Sequence, residues 1–178
     1  AFENARLITT IIFDKTGTLT LGTPELQEIK GFDPAFDQNE LLRLATGIEQ
    51  NSEHYIAIGF MRKARELGIS VPKSEKFNYL PGQGIDGIVE GIDIKVVGPN
   101  YLKDNHIKPA ESPEDFAGTV VYILIGNEVK GYFTFSDKVR KSSFEAIKTL
   151  KKSGIKNLLL TGDNERVAEE VSTELKMD

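Results

Sequence analysis

Ile11-Ile12-Phe13-Asp14-Lys15-Thr16-Gly17-Thr18-Leu19-Thr20, "IIFDKTGTLT", takes an apolar run to a single acid and then to small hydroxylated residues around one glycine. The run begins at Leu7. Leu7–Phe13, "LITTIIF", is β-branched and almost continuously apolar, which predicts a strand buried on both faces, as in a parallel sheet. Open parallel sheets gather their chemistry beyond the carboxyl ends of the strands, and Asp14 stands at such an end.

A second strand of this kind is predicted near the other end of the chain, over Ile155–Leu160. It follows a helical pattern over Val139–Ser153, with Val139, Ser143, Ala146, Ile147 and Leu150 on one face and Gly154 as its stop. Thr161-Gly162-Asp163 comes next, so it reaches the same edge as Asp14 if the two strands are neighbours. Asp163 or Asn164 would cap a last helix carrying Val167, Ala168, Val171 and Leu175 on its apolar face. Helix, strand, loop and helix in this order is α/β grammar.

The middle of the chain follows different rules. Glu25–Phe32 reads as a strand, and Asn39–Ile48 and His54–Leu67 as helices. From Phe77 to Val97 short alternating runs are broken by glycines, which predicts antiparallel strands with tight turns. Thr119–Ile125 and Val129–Phe135 form a further pair around a Gly126-Asn127-Glu128 turn. The expected organisation is therefore an insertion. Residues 1–23 and 129–178 form a discontinuous parallel α/β domain, and residues 24–128 form an α+β domain with an antiparallel sheet that emerges from one of its loops.

Composition bounds the function. The chain has 178 residues, 39% of them apolar, and a formal charge of −5. That charge, with no basic stripe, argues against nucleic acid as a partner. The absence of cysteine excludes disulfides and thiolate metal sites, and two histidines, His54 and His106, are too few for a histidine cluster. No apolar run approaches the ~20 residues needed to span a bilayer, and no signal peptide is visible.

A carboxylate at the end of a parallel strand can attack phosphorus and become an aspartyl phosphate. The attack needs a cation and NH or OH donors around the phosphoryl oxygens. Thr16, Gly17, Thr18, Thr161 and the Gly162 amide are such donors, and Gly17 permits close backbone approach. Lys15 either neutralises charge nearby or is solvated. Two residues after Asp14 stands Thr16. A carboxylate there would protonate the leaving group and activate water. A threonine does neither, so the acyl phosphate should persist.

With these residues in view, the sequence resembles the cytoplasmic phosphorylation and nucleotide-binding domains of P-type ATPases. "DKTGTLT", Asp14–Thr20, resembles that family's signature, with Asp14 as the phosphorylated residue. "TGDN", Thr161–Asn164, resembles the loop that holds the phosphoryl group, and "SDKVR", Ser136–Arg140, the hinge where the chain returns from the nucleotide domain. The resemblance implies a haloacid-dehalogenase-like phosphorylation domain with a nucleotide domain inserted in it.

The short insertion and "SEHYIA", Ser52–Ala57, resemble the heavy-metal, copper-transporting-like class. In that class the histidine matching His54 orients adenine and the acid matching Glu49 contacts the base. "PGQG", Pro81–Gly84, resembles its Gly-x-Gly nucleotide loop through Gly82 and Gly84, and "VGPNYL", Val97–Leu102, a later turn beside the nucleotide through Gly98. There are two departures. Tyr55 stands where the class has proline, which would pre-set the first turn of a helix. Pro99 stands where asparagine is expected, with Asn100 one residue late and turned by the proline toward the same pocket.

The resemblance further implies ATP and Mg²⁺ as cofactors, with Asp14 and the Thr16 carbonyl as a partial magnesium site and Asp163 helping to shape it. It also implies a place at the cytoplasmic face of a membrane, and the transmembrane and actuator domains of the same pump as partners. The chain stops at Asp178, before the lysine and the Gly-Asp-Gly-x-Asn-Asp loop with which the family's phosphorylation domain continues. The expectation is a catalytic fragment that binds ATP and phosphorylates itself poorly. Rival readings are a soluble phosphatase of the same fold, against which Thr16 speaks, and a nucleotide-binding module without activity in isolation.

Overall fold

In the computed structural model, residues 8–113, 116–161 and 165–178 are described. The strands are β1 (Thr10–Asp14), β2 (Thr20–Gly31), β3 (Ser74–Leu80), β4 (Gly84–Val89), β5 (Ile92–Val97), β6 (Thr119–Ile125), β7 (Glu128–Val139) and β8 (Lys156–Leu160). The helices are α1 (Gln38–Glu49), α2 (Tyr55–Glu66), α3 (Pro99–Asp104), α4 (Lys141–Lys152) and α5 (Glu165–Leu175). The chain divides into two units, one made of residues up to Thr23 with Asp137–Asp178, the other of Pro24–Ser136. The return crossing lies inside the long strand β7 rather than at its start.

In the first unit β1 and β8 pair in parallel, Thr10 opposite Lys156 and Asp14 opposite Leu160. The strand is not buried on both faces as its composition suggested. Phe13 and Leu159 pack with Leu19, Val139, Ile147, Val171 and Leu175, whereas Ile12 and Leu160 are 61% and 65% exposed. The apolar stripes of α4 and α5 cover one side of the pair, and successive strand residues point to opposite sides, so alternate residues are left open. Gly154, at φ +76, ends the α4 turn, as the helix-stop reading required.

The second unit is a six-stranded sheet in the order β2-β7-β6-β5-β4-β3. Consecutive strands from β3 to β7 are antiparallel neighbours. Ile125 pairs with Glu128, leaving Gly126-Asn127 as a two-residue turn. β6 displays why the sheet is two-faced. Val121 and Ile123 enter a core with Leu41, Leu44 and Ile48 of α1 and Phe60 of α2. Tyr122 and Leu124 enter the opposite cluster, with Val97, Tyr132 and Leu102 of α3. Phe60 meets Phe133 and Phe135 edge-on, with ring centroids 4.9 Å apart in each case, the arrangement favoured by aromatic quadrupoles.

Three elements differ from expectation. The strand read over Glu25–Phe32 begins at Thr20, and the one read over Val129–Phe135 runs on to Val139. The two lie side by side in the sheet, so ladder pairing carries them past the apolar residues that announced them. The turn read around Val97–Leu102 is instead the start of helix α3, with Pro99 at its first position, where a missing N–H costs nothing. The proposed caps Asp163 and Asn164 lie outside the described residues. Among the described residues no helix is long and apolar enough to cross a membrane.

Candidate functional site

The residues singled out in the sequence fall into two places, one in each unit. In the first, β1 ends on Asp14, whose side chain is exposed, and the chain makes a tight loop over Lys15–Leu19. Gly17 takes φ +76 within it, a left-handed conformation that a side chain resists. Asp14, Thr16, Gly17 and Thr18 face solvent, while Lys15 and Leu19 are buried. Of the two expectations for Lys15, the solvated one is therefore corrected: the ammonium stem is drawn inside. Asp14 pairs with Leu160 across the strands, so the half-buried Thr161 follows at the same edge. Gly162 and Asp163 lie outside the described residues.

What fixes the loop was only half visible in the sequence. The fully buried Thr20 hydroxyl donates to Asp137 Oδ2 at 2.5 Å, lies 3.1 Å from the Lys15 carbonyl and accepts from the Gly17 N–H at 3.3 Å. Arg140 donates from Nε to the Thr20 carbonyl at 2.7 Å and from Nη2 to the Gly17 carbonyl at 2.9 Å. Ser143 Oγ donates to the Leu19 carbonyl at 2.9 Å. Asp137 and Arg140 both belong to "SDKVR", read earlier as a hinge. They also clamp the loop after Asp14, so its exposed donors sit on a backbone whose Lys15, Gly17 and Leu19 carbonyls are already engaged.

Oxygen ligands of this kind suit magnesium. Asp14 and the Thr16 carbonyl are the two candidates at this strand end. Among the described residues no group of three His, Asp or Glu side chains gathers to hold a metal ion, so the fit is partial.

In the second unit a cleft of about 370 Å³ is lined by Glu49, His54, Tyr79, Gly82, Gly98 and Thr119 among others. Glu49, in the last turn of α1, is 2% exposed, and its Oε2 has no hydrogen-bond partner. Loss of hydration pushes its pKa up to about 7, against a weaker opposite pull from a Ser52 hydrogen bond. An orphaned buried carboxylate is costly unless something meets it. His54 sits at the mouth as the backbone cap of α2, its imidazole making no capping bond. Desolvation holds that imidazole below its ordinary pKa.

Of the glycines, Gly82 takes φ +69 with open space where a Cβ would be, and it lines the cleft with Gly98. Gly84 also lines it, but at φ +143 a Cβ there would strike the Val96 carbonyl, so strand packing alone demands glycine. Asn100 is exposed on α3 and is absent from the cleft wall, where Pro99 is found instead. The expectation that proline turns Asn100 toward the pocket is corrected: Pro99 starts a helix and takes that place itself. Sequence reading missed Tyr79 and Thr119. They belong to no motif, and strand pairing, not sequence proximity, brings them to Glu49.

A family model described as haloacid dehalogenase-like hydrolase matches residues 8–178. The copper-exporting P-type ATPase B of Archaeoglobus fulgidus is 43% identical over all of this chain, which covers 26% of that protein. The catalytic domain of the CPx-ATPase CopB-B, solved in a study of its conformational changes upon nucleotide binding, superposes with a TM-score of 0.75 at 28% identity, over 99% of this chain and 63% of that one. A zinc-transporting PIB-type ATPase in its E2.Pi state superposes with a TM-score of 0.73 at 31% identity, over 96% of this chain and 28% of that one. The chain thus spans about a quarter of the length of the curated relatives it matches.

Proposed function

The chain belongs to the haloacid dehalogenase-like hydrolases, and on that footing we propose that it is the catalytic part of an ATP-driven, copper-exporting P-type pump, working at the cytoplasmic face of a membrane. The transmembrane and actuator parts of the same pump are its partners. The observation that carries the ATP half of this reading is the partnerless Oε2 of the buried Glu49 carboxyl in a largely apolar cleft. A flat heterocycle with an exocyclic amine satisfies that oxygen, while the cleft walls bury its faces. At the mouth His54 orients the base, and the open Gly82 turn with Gly98 leaves room for the ribose and phosphates. Asn100 has no part in this assignment.

Asp14 is the nucleophile. One carboxylate oxygen forms a bond to the γ-phosphorus, the bond from that phosphorus to the β–γ bridging oxygen breaks, and ADP departs with the electron pair. Thr16, Thr161 and the Gly162 amide stabilise the transferring group, the buried Lys15 balances charge nearby, and Asp163 helps to shape the site. Asp14 and the Thr16 carbonyl would hold magnesium, which when bound would neutralise charge on the phosphoryl oxygens. Thr16 cannot act as the base that activates water, so the acyl phosphate lasts long enough to drive a conformational change. Copper is the cargo, taken from the 43% identical copper-exporting relative.

The test has two arms. The chain should bind ATP, and His54→Ala should weaken binding about tenfold, equivalent to about 1.4 kcal/mol. Labelled ATP should give a hydroxylamine-sensitive phosphoryl group, at low yield, that Asp14→Asn abolishes. Hydrolysis of a generic aryl phosphate without any nucleotide affinity would replace this reading with a phosphatase.

A further inference from the structure

His54 caps α2, and Tyr55 stands at the first helical position. A proline at the first position of α2 would fix φ there and set the direction in which the chain enters the helix. Tyr55 fixes nothing of the kind. The segment that carries His54 is nonetheless tied along its length. Gln50 Nε2 donates to the Pro72 carbonyl at 2.6 Å and Asn51 Nδ2 to Ser74 Oγ at 2.6 Å. Ser52 Oγ accepts from the His54 N–H at 3.1 Å.

Two tyrosines then tie the segment to the sheet, Tyr79 from the edge strand β3 and Tyr55 from α2 onto β6. Tyr79 of β3 accepts the Glu53 N–H on its hydroxyl at 3.1 Å. Its ring stands edge-on to Phe77 at 4.8 Å, which fixes its direction. The Tyr55 hydroxyl shares a 2.5 Å hydrogen bond with Thr119 Oγ1 at the start of β6. Its ring lies 5.1 Å from the His54 imidazole at an interplanar angle of 47°. Tyr79 and Thr119 also line the cleft, so both ties anchor the histidine to the walls of the pocket it serves.

We propose that Tyr55 and Tyr79 are positioning residues for His54. This rests on the reading of the cleft as the base site. Tyr55 works through its ring against the imidazole and through its hydroxyl on β6. Tyr79 works through its hydroxyl on the backbone one residue before the histidine. Neither needs to touch the nucleotide for this role. With the arm pinned, the imidazole meets a base without first paying the ordering cost of a loose loop.

The experiment is a set of binding titrations on the 178-residue chain with a non-hydrolysable ATP analogue, each variant's melting temperature being recorded alongside. Tyr55→Phe and Tyr79→Phe remove only the hydroxyls. Each should weaken binding about three- to tenfold, the range for one lost hydrogen bond. Thr119→Val, which removes the other end of the Tyr55 tie, should match Tyr55→Phe and add nothing to it. In a His54→Ala background the tyrosine substitutions should have no further effect, which a general loss of stability would not produce. Tyr55→Leu should shift the His54 imidazole resonance and raise its pKa toward the ordinary value. Unchanged affinity in both Phe variants overturns the proposal, as does an equal loss with and without His54. If His54→Ala itself binds like the parent chain, the base-site reading falls and this inference with it.

Discussion

Glu49 sets a conflict between stability and use at the scale of one residue. Its folded pKa of about 7 lies above the value of 4.5 expected when exposed. A raised folded pKa stabilises the fold fully below the unfolded value, and that contribution is lost as pH rises through the folded one. The loss therefore accumulates between about pH 4.5 and 7, and its full size is on the order of 3 kcal/mol. Above pH 7 the fold carries a buried, unpaired charge. Glu49→Gln cannot ionise, so its melting temperature relative to the parent chain should rise between pH 5 and pH 7 and level off above that. The unpaired amide nitrogen it brings shifts both ends equally and leaves the slope intact. The same variant should bind ATP more weakly. Parallel melting curves across this range would refute the burial argument. Glu49 and His54 were readable because a linear motif carried them. The ionisation state of Glu49 was not readable, because it depends on walls supplied by β3, β4 and β6.

At the scale of elements, the fold shows itself where periodicity is strong and hides where pairing decides. β6 is legible at Thr119–Ile125 as an apolar run ended by the Gly126-Asn127 turn, and α1 and α2 as the helical stretches Asn39–Ile48 and His54–Leu67, the second stopped by Gly68. The far ends of β2 and β7 were not visible, since polar residues such as Ser136 and Asp137 continue a ladder that only the partner strand defines. α3 was missed because six residues carry too little pattern to distinguish from a turn. Helix packing on the sheet gives a sharper expectation. Gly59 of α2 faces Phe135 and the Pro24 carbonyl, and an added Cβ would sit 2.9 Å from both. Neither neighbour gives way easily: one is backbone, and the other is a fully buried ring wedged against Phe60. Gly59→Ala gains about 1 kcal/mol of helix propensity but incurs an overpacking cost of about 1–3 kcal/mol. The net should be a destabilisation, read as a lower urea midpoint with an unchanged slope. A variant as stable as the parent chain would show that α2 sits on the sheet more loosely than these contacts require.

At the scale of the whole molecule, the two units divide the chemistry between them. Every residue lining the Glu49 cleft falls within Pro24–Ser136, as do both hydrophobic clusters around the six-stranded sheet. Asp14, its loop and the Asp137 and Arg140 clamp all fall in the other unit. Chain connectivity hides this division, because β2 and β7 each pass from one unit into the other. The covalent link is therefore two strands, while the core that stabilises the cleft is complete without them beyond residues 24 and 136. A chain of residues 24–136 alone should fold cooperatively and bind ATP within about twofold of the 178-residue protein, a difference of about 0.4 kcal/mol. It should lose all capacity for labelling by the γ-phosphoryl group. The Tyr55 and Tyr79 ties lie inside this segment, so the Tyr79→Phe penalty should persist in it unchanged. Binding more than tenfold weaker in the isolated segment would mean that the cleft draws on the other unit for its shape, and that the separation of base recognition from phosphoryl transfer is not as clean as the contacts imply.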